Sequence, residues 1–378
     1  MHQTKFGRTP TGERLARVQK SKNYADGAFH NETPTRMMTG RKTPVANMLE
    51  YAFKDRDKRT PQTPVPAVKI DLRALPRDRD LIVWFGHSSY LLQLSGRRIL
   101  VDPVFYDASP VSFSNPPYPG TDIYKPQDMP DIDVLVISHD HWDHLDYRTV
   151  TELKDRVGKV VVPLGVGEHF EFWGYPPNKI VELDWYEDGE AAGMTFHCLP
   201  ARHFSGRGLK RNQTLWASFL VEAPALPQTE GTQTGGLKSE TPPSGHPQKI
   251  TKRVYIGGDS GYGPHFQHIG EIFTAGGIDL AILENGQYNE AWGEIHTLPQ
   301  YLDLEVKELG ARHFITVHHS KFCLSLHPWD EPLVNERKAA EKSGVPLTVL
   351  VIGRPAALWE WETLEPAVPE SASPSDSK

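Results

Sequence analysis

The chain is poor in cysteine, has no long apolar run and carries no excess of positive charge. Among 378 residues only Cys198 and Cys323 occur, far apart and without C-x-x-C spacing. That excludes a disulfide-stapled scaffold and a cysteine zinc site, and it favours a reducing, cytoplasmic setting. No stretch of about 18 consecutive apolar residues is present, and Met1-His2-Gln3-Thr4-Lys5 lacks the apolar core of a secretory signal. Any membrane contact is therefore expected to be peripheral. With 48 acidic against 41 basic residues the formal charge is -7, which argues against a protein that coats nucleic acid.

That charge is uneven. Residues 1–60 hold 13 Lys/Arg against 6 Asp/Glu, so a basic segment precedes an acidic body. Such segments are most often solvated. The 38% hydrophobic content is enough for a substantial core. Length alone would allow two to three domains at about 150 residues each. The pattern along the chain is simpler: a basic extension over 1–79, a folded domain over 80–365 and a polar, Ser/Pro-rich tail over 366–378 expected to be disordered. A short helix is expected at Val45 to Phe53 within the extension.

The folded part reads as β-rich with interspersed helices. Leu81–Phe85, Tyr90–Leu94, Arg98–Val101, Val134–Ile137, Lys159–Pro163, Lys179–Leu183, Met194–Leu199, Trp216–Glu222, Arg253–Gly257, Ile278–Leu283, His313–Val317 and Leu347–Ile352 are the strand candidates. Helical patterns fall near Gly167–Trp173, Gln300–Leu309 and Leu333–Ser343. Residues 223–248, rich in Pro, Thr, Gly and Ser, read as a flexible insertion between two strands.

Histidine stands out, 17 in all, and His139-Asp140-His141-Trp142-Asp143-His144 concentrates three of them with a carboxylate just past an apolar strand. Burying unpaired imidazoles and carboxylates is costly, and a divalent metal removes that cost. Further polar groups follow strands in the same way: His203, Asp259 and His318. Each alone could be a hydrogen-bonded strand-end or turn residue. Their recurrence at one sheet edge is what points to a shared site.

The H-x-H-x-D-H loop resembles that of the metallo-β-lactamase fold superfamily of metal-dependent hydrolases. More narrowly, Gly86-His87-Ser88-Ser89, Val101-Asp102-Pro103-Val104-Phe105, His144-Leu145-Asp146-Tyr147, Glu182-Leu183-Asp184-Trp185, Gly258-Asp259-Ser260-Gly261-Tyr262, Tyr288-Asn289-Glu290 and His327-Pro328-Trp329-Asp330-Glu331-Pro332 resemble the N-acylphosphatidylethanolamine-hydrolysing phospholipase D group and its bacterial relatives. The resemblance runs from about residue 80 to 355. It implies an α/β fold, a four-layer αββα sandwich with a binuclear metal site at the sheet edge, one sandwich rather than several domains. It also implies ligands: His139, His141 and His203 for one ion, Asp143, His144 and His318 for the other, and Asp259 between them. His319 directly follows His318 and is the alternative ligand there.

Two divalent ions are implied, zinc first, with iron or manganese open because His/Asp sites select by geometry and supply. Ions about 3.5 to 4 Å apart would share a water and lower its pKa from 15.7 toward 7. Asp143 is the expected group to orient the resulting hydroxide. Asp102 is a candidate partner for a ligand imidazole, with a strand-ending Asp-Pro turn as the equal alternative. By the same resemblance His296 would meet the substrate, holding a phosphate oxygen or protonating a leaving group. His87 could be structural or touch substrate, and Arg207 and Lys210 suit an anionic substrate or a solvated loop. The expected activity is hydrolysis of a phosphodiester, of the N-acyl phosphatidylethanolamine type. The alternatives are a lactonase or sugar-phosphate ester hydrolase on the same fold and, in another class, a metal-stabilised binding protein without catalysis.

Overall fold

A computed structural model describes residues 4–40, 56–106, 108–111, 115–225 and 251–359. The Val45 to Phe53 helix, the tail over 366–378 and all but the first three residues of the 223–248 insertion lie outside the described residues. A small hairpin, β1 (Tyr24–Ala25) and β2 (Ala28–Phe29), comes first. Next come β3 (Leu81–Trp84), β4 (Tyr90–Leu94), β5 (Arg97–Val101), β6 (Ile132–Val136), β7 (Val157–Pro163) and β8 (Ile180–Leu183). They are followed by β9 (Asp188–Ala191), β10 (Met194–Leu199), β11 (Ser218–Pro224), β12 (Thr251–Ile256), β13 (Leu280–Glu284), β14 (Phe314–Val317) and β15 (Pro355–Ala357).

Two sheets result, ordered β15-β3-β4-β5-β6-β7-β8 and β14-β13-β12-β11-β10-β9. In the first, β5 through β8 are parallel; in the second, β12, β13 and β14 are parallel. Alternation along each strand decides which face each side chain takes. Ile82, Trp84, Val134 and Val136 point inward and pack with Phe196, Phe219, Val254, Ile256 and Ile282 of the other sheet. Their neighbours Val83, Leu91, Leu135 and Val160 point outward onto Val150, Leu153 and Phe170 of the helices Tyr147–Leu153 and Gly167–Phe172. On the opposite side Tyr255, Ala281 and Phe314 cover Phe266, Ile269, Leu302, Val306 and Ala339 from three further helices. The layers are helix, sheet, sheet, helix, as expected.

Three local expectations change. Leu347–Ile352 is not a strand. Leu347 bridges to Phe314 in one sheet and Ile352 to Ala67, and Gly353 N–H reaches the Trp84 carbonyl, so this run crosses the end of the sandwich, and the edge strand is β15. Ala223 and Pro224 continue β11 rather than opening a flexible insertion. The short edge strand β9, Asp188-Gly189-Glu190-Ala191, has too little apolar content to announce itself and forms by pairing with β10.

The described part of the basic N-terminal segment over residues 4–40 lies on the body. Arg14, in the helix Gly12–Val18, splits its guanidinium among Glu182 (2.7 Å), Glu168 (2.8 Å) and Glu171 (2.9 Å). Arg8 pairs with Glu168, Arg17 with Glu187 and Arg36 with Glu294. Among the described residues no helix is long and apolar enough to cross a membrane.

Candidate metal centre

The site forms where strands of both sheets end. Beyond β6, Ser138 leads into the histidine loop, which is closed by hydrogen bonds from the His144 and Leu145 amides to the His141 carbonyl. His203 arrives after β10, Asp259 after β12 and His318 after β14. The ligand atoms of His139, His141 and His203 lie within 4.8 Å of one another, as do those of Asp143, His144, His318 and His87. Asp259 stands between the sets. Its Oδ2 is 3.2 Å from His144 Nε2, 3.7 Å from His203 Nε2 and 3.9 Å from His139 Nε2, and its Oδ1 is 3.2 Å from His318 Nδ1. All seven residues named from the sequence therefore meet in one place.

The rings of His203, His144 and His318 are oriented from behind. His203 Nδ1 donates to the Ile295 carbonyl (2.7 Å), which turns Nε2 into the site. His144 Nδ1 donates to Asp102 Oδ2 (2.7 Å), and the same carboxylate accepts from the Ser138 hydroxyl (2.6 Å) and Ser138 amide (2.8 Å). Asp102 is thus a partner of the His144 imidazole, one of the candidate ligands, although its φ of 41° also makes it the turn that ends β5. Such supporting carboxylates fix imidazole tautomer and direction. His318 Nδ1 meets the Ser88 hydroxyl (2.8 Å). His319 points elsewhere, to Ser320 and Thr316, with its ring on Trp84, so only His318 joins the cluster.

A divalent metal fits this arrangement. His139 Nε2 faces His141 Nδ1 at 2.8 Å and His203 Nε2 faces the same atom at 3.2 Å, a convergence of nitrogen lone pairs that one or two protons cannot satisfy. His144 Nε2, His318 Nε2 and Asp259 Oδ1 are buried without a hydrogen-bond partner. Burial pushes His139, His203 and His318 well below the ordinary imidazole range and His141 down to about 4, which favours the neutral, metal-ligating form. His144 moves the other way: burial opposes its charge, but Asp259, Asp102 and Asp143 outweigh burial and raise it. Against burial, His144 in turn holds Asp143 and Asp259 below the usual carboxylate range.

His87 is buried in the second set, its backbone held at φ 53° by bonds with His318 and His319, and its Nε2 lies 3.0 Å from Asp143 Oδ2. It braces Asp143. His296 lies on the cavity wall with Nδ1 2.9 Å from Glu284 Oε2. Burial lowers the His296 ring, but Glu284 lifts it by more, so this pair keeps a proton at neutral pH. Glu284 was not singled out from the sequence. The strand-end rule that picks Asp259 and His318 also picks it, at the last position of β13. Arg207 is not free to meet an anion: it is buried, donating to the Asp140, Leu145 and Lys5 carbonyls over the Trp142 ring. Lys210 is exposed on the loop that follows.

Two sandwiched sheets with flanking helices, carrying this His/Asp constellation at the sheet edge, define a metallo-β-lactamase-fold metal-dependent hydrolase, and the chain belongs to that superfamily. A family model described as Beta-lactamase superfamily domain matches residues 97–235. An uncharacterized protein of Mycobacterium tuberculosis is 36% identical over 341 residues, 89% of this chain and 84% of that protein. The N-acyl-phosphatidylethanolamine-hydrolyzing phospholipase D 1 of Caenorhabditis elegans is 32% identical over 250 residues, 62% of this chain and 62% of its own length. Among solved structures, Igni18, a metallo hydrolase from Ignicoccus hospitalis, is 18% identical with a TM-score of 0.50, covering 73% of this chain and 97% of that one; this is a likeness of fold.

Proposed function

We propose that this chain is a binuclear metal-dependent phosphodiesterase whose substrate is an amphipathic lipid phosphodiester of the N-acyl phosphatidylethanolamine type, cleaved in the manner of phospholipase D. The observation that carries the proposal is the setting of the Asp259-linked ligand sets. They floor a cavity of about 560 Å³ whose walls include Met37, Met38, Phe204, Trp292, Ile295 and Leu324. A second lobe of about 760 Å³ opens on the other side of His141 and Asp143. An extended apolar groove with charge at its centre suits a lipid around a phosphate better than a small lactone. The relatives from Caenorhabditis elegans and Saccharomyces cerevisiae named as N-acyl-phosphatidylethanolamine-hydrolyzing phospholipases D support the same substrate class.

His139, His141 and His203 would hold one ion, Asp143, His144 and His318 the other, and Asp259 both. Divalent ions held there would supply acidified water and positive charge to offset what builds on the phosphoryl oxygens. The chain's own groups do the rest. Asp143, fixed by His87, accepts the proton of the attacking water and sets its direction. His296, oriented by Glu284, faces the leaving oxygen and gives it a proton as the P–O bond breaks. Water adds across that bond, leaving a phosphatidate and an N-acylethanolamine. The apolar walls hold the acyl chains and exclude bulk water.

The experiment is turnover of N-acyl phosphatidylethanolamine by metal-loaded protein, beside a simple lactone and Asp143→Asn and His144→Ala controls. Release of phosphatidate well above both controls is expected. Release no faster than the controls refutes the proposal, and turnover of the lactone alone would transfer it to the lactonase class.

A further inference from the structure

Leu209 stands at the tip of the loop 205–212 with its whole side chain in solvent, 106% exposed. The loop is not frayed. Its base is tied by the Ser205 hydroxyl to the Thr214 carbonyl (2.5 Å), by the Asn212 amide to the Ser205 carbonyl (3.0 Å) and by the buried Arg207 beneath it. Asn212 takes the left-handed conformation, φ 58°, that returns the chain. A rigid stem therefore presents an isolated leucine to water, which packing does not explain.

Its surroundings repeat the pattern. Phe6 (39% exposed) and Pro110 line the same lobe of the groove as Leu209, with Val111 (44%) next to Pro110, and Met38 (50%) lines the other lobe. Cations are interleaved. Lys210 is exposed beside Leu209. Arg211 spends its guanidinium on Met37 Sδ (3.3 Å) and the Phe204 face rather than on a carboxylate in those contacts. Lys5 sits over the Trp142 ring and donates to the Pro110 carbonyl (2.5 Å). Elsewhere Arg8, Arg14, Arg17 and Arg36 are paired with carboxylates of the acidic body, while Lys5 and Lys210 place positive charge at this mouth.

We infer that this rim, Phe6, Met38, Val111 and Leu209 with Lys5 and Lys210, is a docking surface that seats the groove on an anionic lipid bilayer. The inference rests on the lipid reading of the site and says how such a substrate reaches it. Apolar tips that enter the headgroup region beside cations that stay at its surface are what an anionic membrane binds. The occupant follows from charge: a chain of net charge -7 is repelled by such a surface on the whole, so Lys5 and Lys210 at an apolar rim favour contact there and orient the groove toward it.

The test is sedimentation of the metal-loaded full chain with vesicles of phosphatidylcholine alone and with about one-third phosphatidylglycerol. Binding to the anionic vesicles alone, weakening as salt rises, is expected. Leu209→Asp should lower the partition roughly 10-fold or more, and Lys210→Glu should lower it and flatten the salt dependence. Leu209→Ser, at a side chain that packs on nothing, controls for folding through an unchanged melting curve. Equal partition of wild type and Leu209→Asp overturns the inference. So does a Leu209-dependent dimer in light scattering with no vesicle binding, which would make the rim a contact between copies. Hydrolysis of soluble bis(p-nitrophenyl) phosphate is measured in parallel. Vesicle binding without hydrolysis would sink the catalytic proposal and leave docking standing; hydrolysis without vesicle binding would do the reverse.

Discussion

Asp102→Asn removes one negative charge behind the second ligand set while changing almost nothing in shape. The carboxylate accepts three hydrogen bonds, from the Ser138 amide, the Ser138 hydroxyl and His144 Nδ1. An amide in its place can accept at one oxygen only, so its NH2 must face either the Ser138 amide or the His144 ring, donor against donor. The backbone does not confound the result, because asparagine tolerates the left-handed φ of 41° at least as well as aspartate. Leaving one buried donor unmatched costs about 1–3 kcal/mol, so the metal-free protein should melt several degrees lower. Without the Asp102 charge the His144 ring can keep its remaining proton on Nε2, the atom that would bind metal. Losing such a supporting carboxylate typically costs about 10- to 100-fold in metal affinity.

The loss should be confined. Zinc titration against a chromophoric chelator is expected to show two strong sites in the wild type, and in Asp102→Asn one strong site and one weakened by that factor. His203 keeps its own support at the Ile295 carbonyl, and His139 is reached from Asp102 only indirectly, through the Ser138 hydroxyl 2.9 Å from its Nδ1, so that set accounts for the surviving site. Two unchanged affinities would show that Asp102 serves only the turn, and two equally weakened ones would show that its effect is not confined to the His144 ring.

Glu336 is buried, accepts from the Thr316 hydroxyl (2.5 Å), and burial pushes its carboxyl from 4.5 up to about 7. The folded state therefore holds an extra proton between those values, and stability should fall as pH rises through that window, by on the order of 3 kcal/mol. Glu336→Gln should flatten the slope and melt higher above pH 7 in a thermal scan; an unchanged pH slope would refute this. Arg14→Ala leaves the buried Glu168 and Glu182 without their shared partner, so a loss of about 3 kcal/mol and faster hydrogen exchange over residues 4–18 are expected, with Arg14→Lys recovering only part. Unchanged exchange there would show that the ion pairs do not hold the segment. Asp259, Asp102 and Asp143 hold His144 toward its charged form against burial, so metal binding is expected to release a proton. Calorimetry in buffers of different ionisation enthalpy should detect it, and apparent affinity should fall as pH is lowered; heats independent of buffer would contradict the charge assigned to His144.

Much of this site is legible in sequence because its parts obey one local rule: an apolar strand, then a ligating side chain. His139 after β6, His203 after β10, Asp259 after β12 and His318 after β14 all follow it. Glu284 obeys the rule too, yet it precedes Asn285-Gly286, which reads as a turn, and its value appears only when Thr297 and His296 fold back onto it. His318 and His319 are indistinguishable by composition. What separates them is a φ of 70° at His318 that breaks the strand's alternation and sends the second ring to Trp84. Leu347–Ile352 has a strand's composition but spans the gap between the sheets, a placement set by tertiary contacts alone.

The N-terminal segment shows the same limit from the side of charge. Arg8, Arg14, Arg17 and Arg36 read as part of a solvated basic arm because their partners, Glu168, Glu171, Glu182, Glu187 and Glu294, are more than 150 residues away. Paired, they couple the segment to the metal loop. The Arg8 amide donates to His169 Nδ1 (3.1 Å), and His169 Nε2 lies 3.0 Å from Asp140 Oδ2. Asp140 accepts from the Gly206 amide and the Thr214 hydroxyl as well. Asp140 stands between the two histidines of the H-x-H pair, and its side chain faces away from the candidate ligand cluster, toward His169. The residue between the two proposed ligands thus anchors the loop to a helix, and that helix to residues 4–18. The same residues that neutralise the acidic body also fix the loop that must present His139 and His141 at the spacing a metal ion requires.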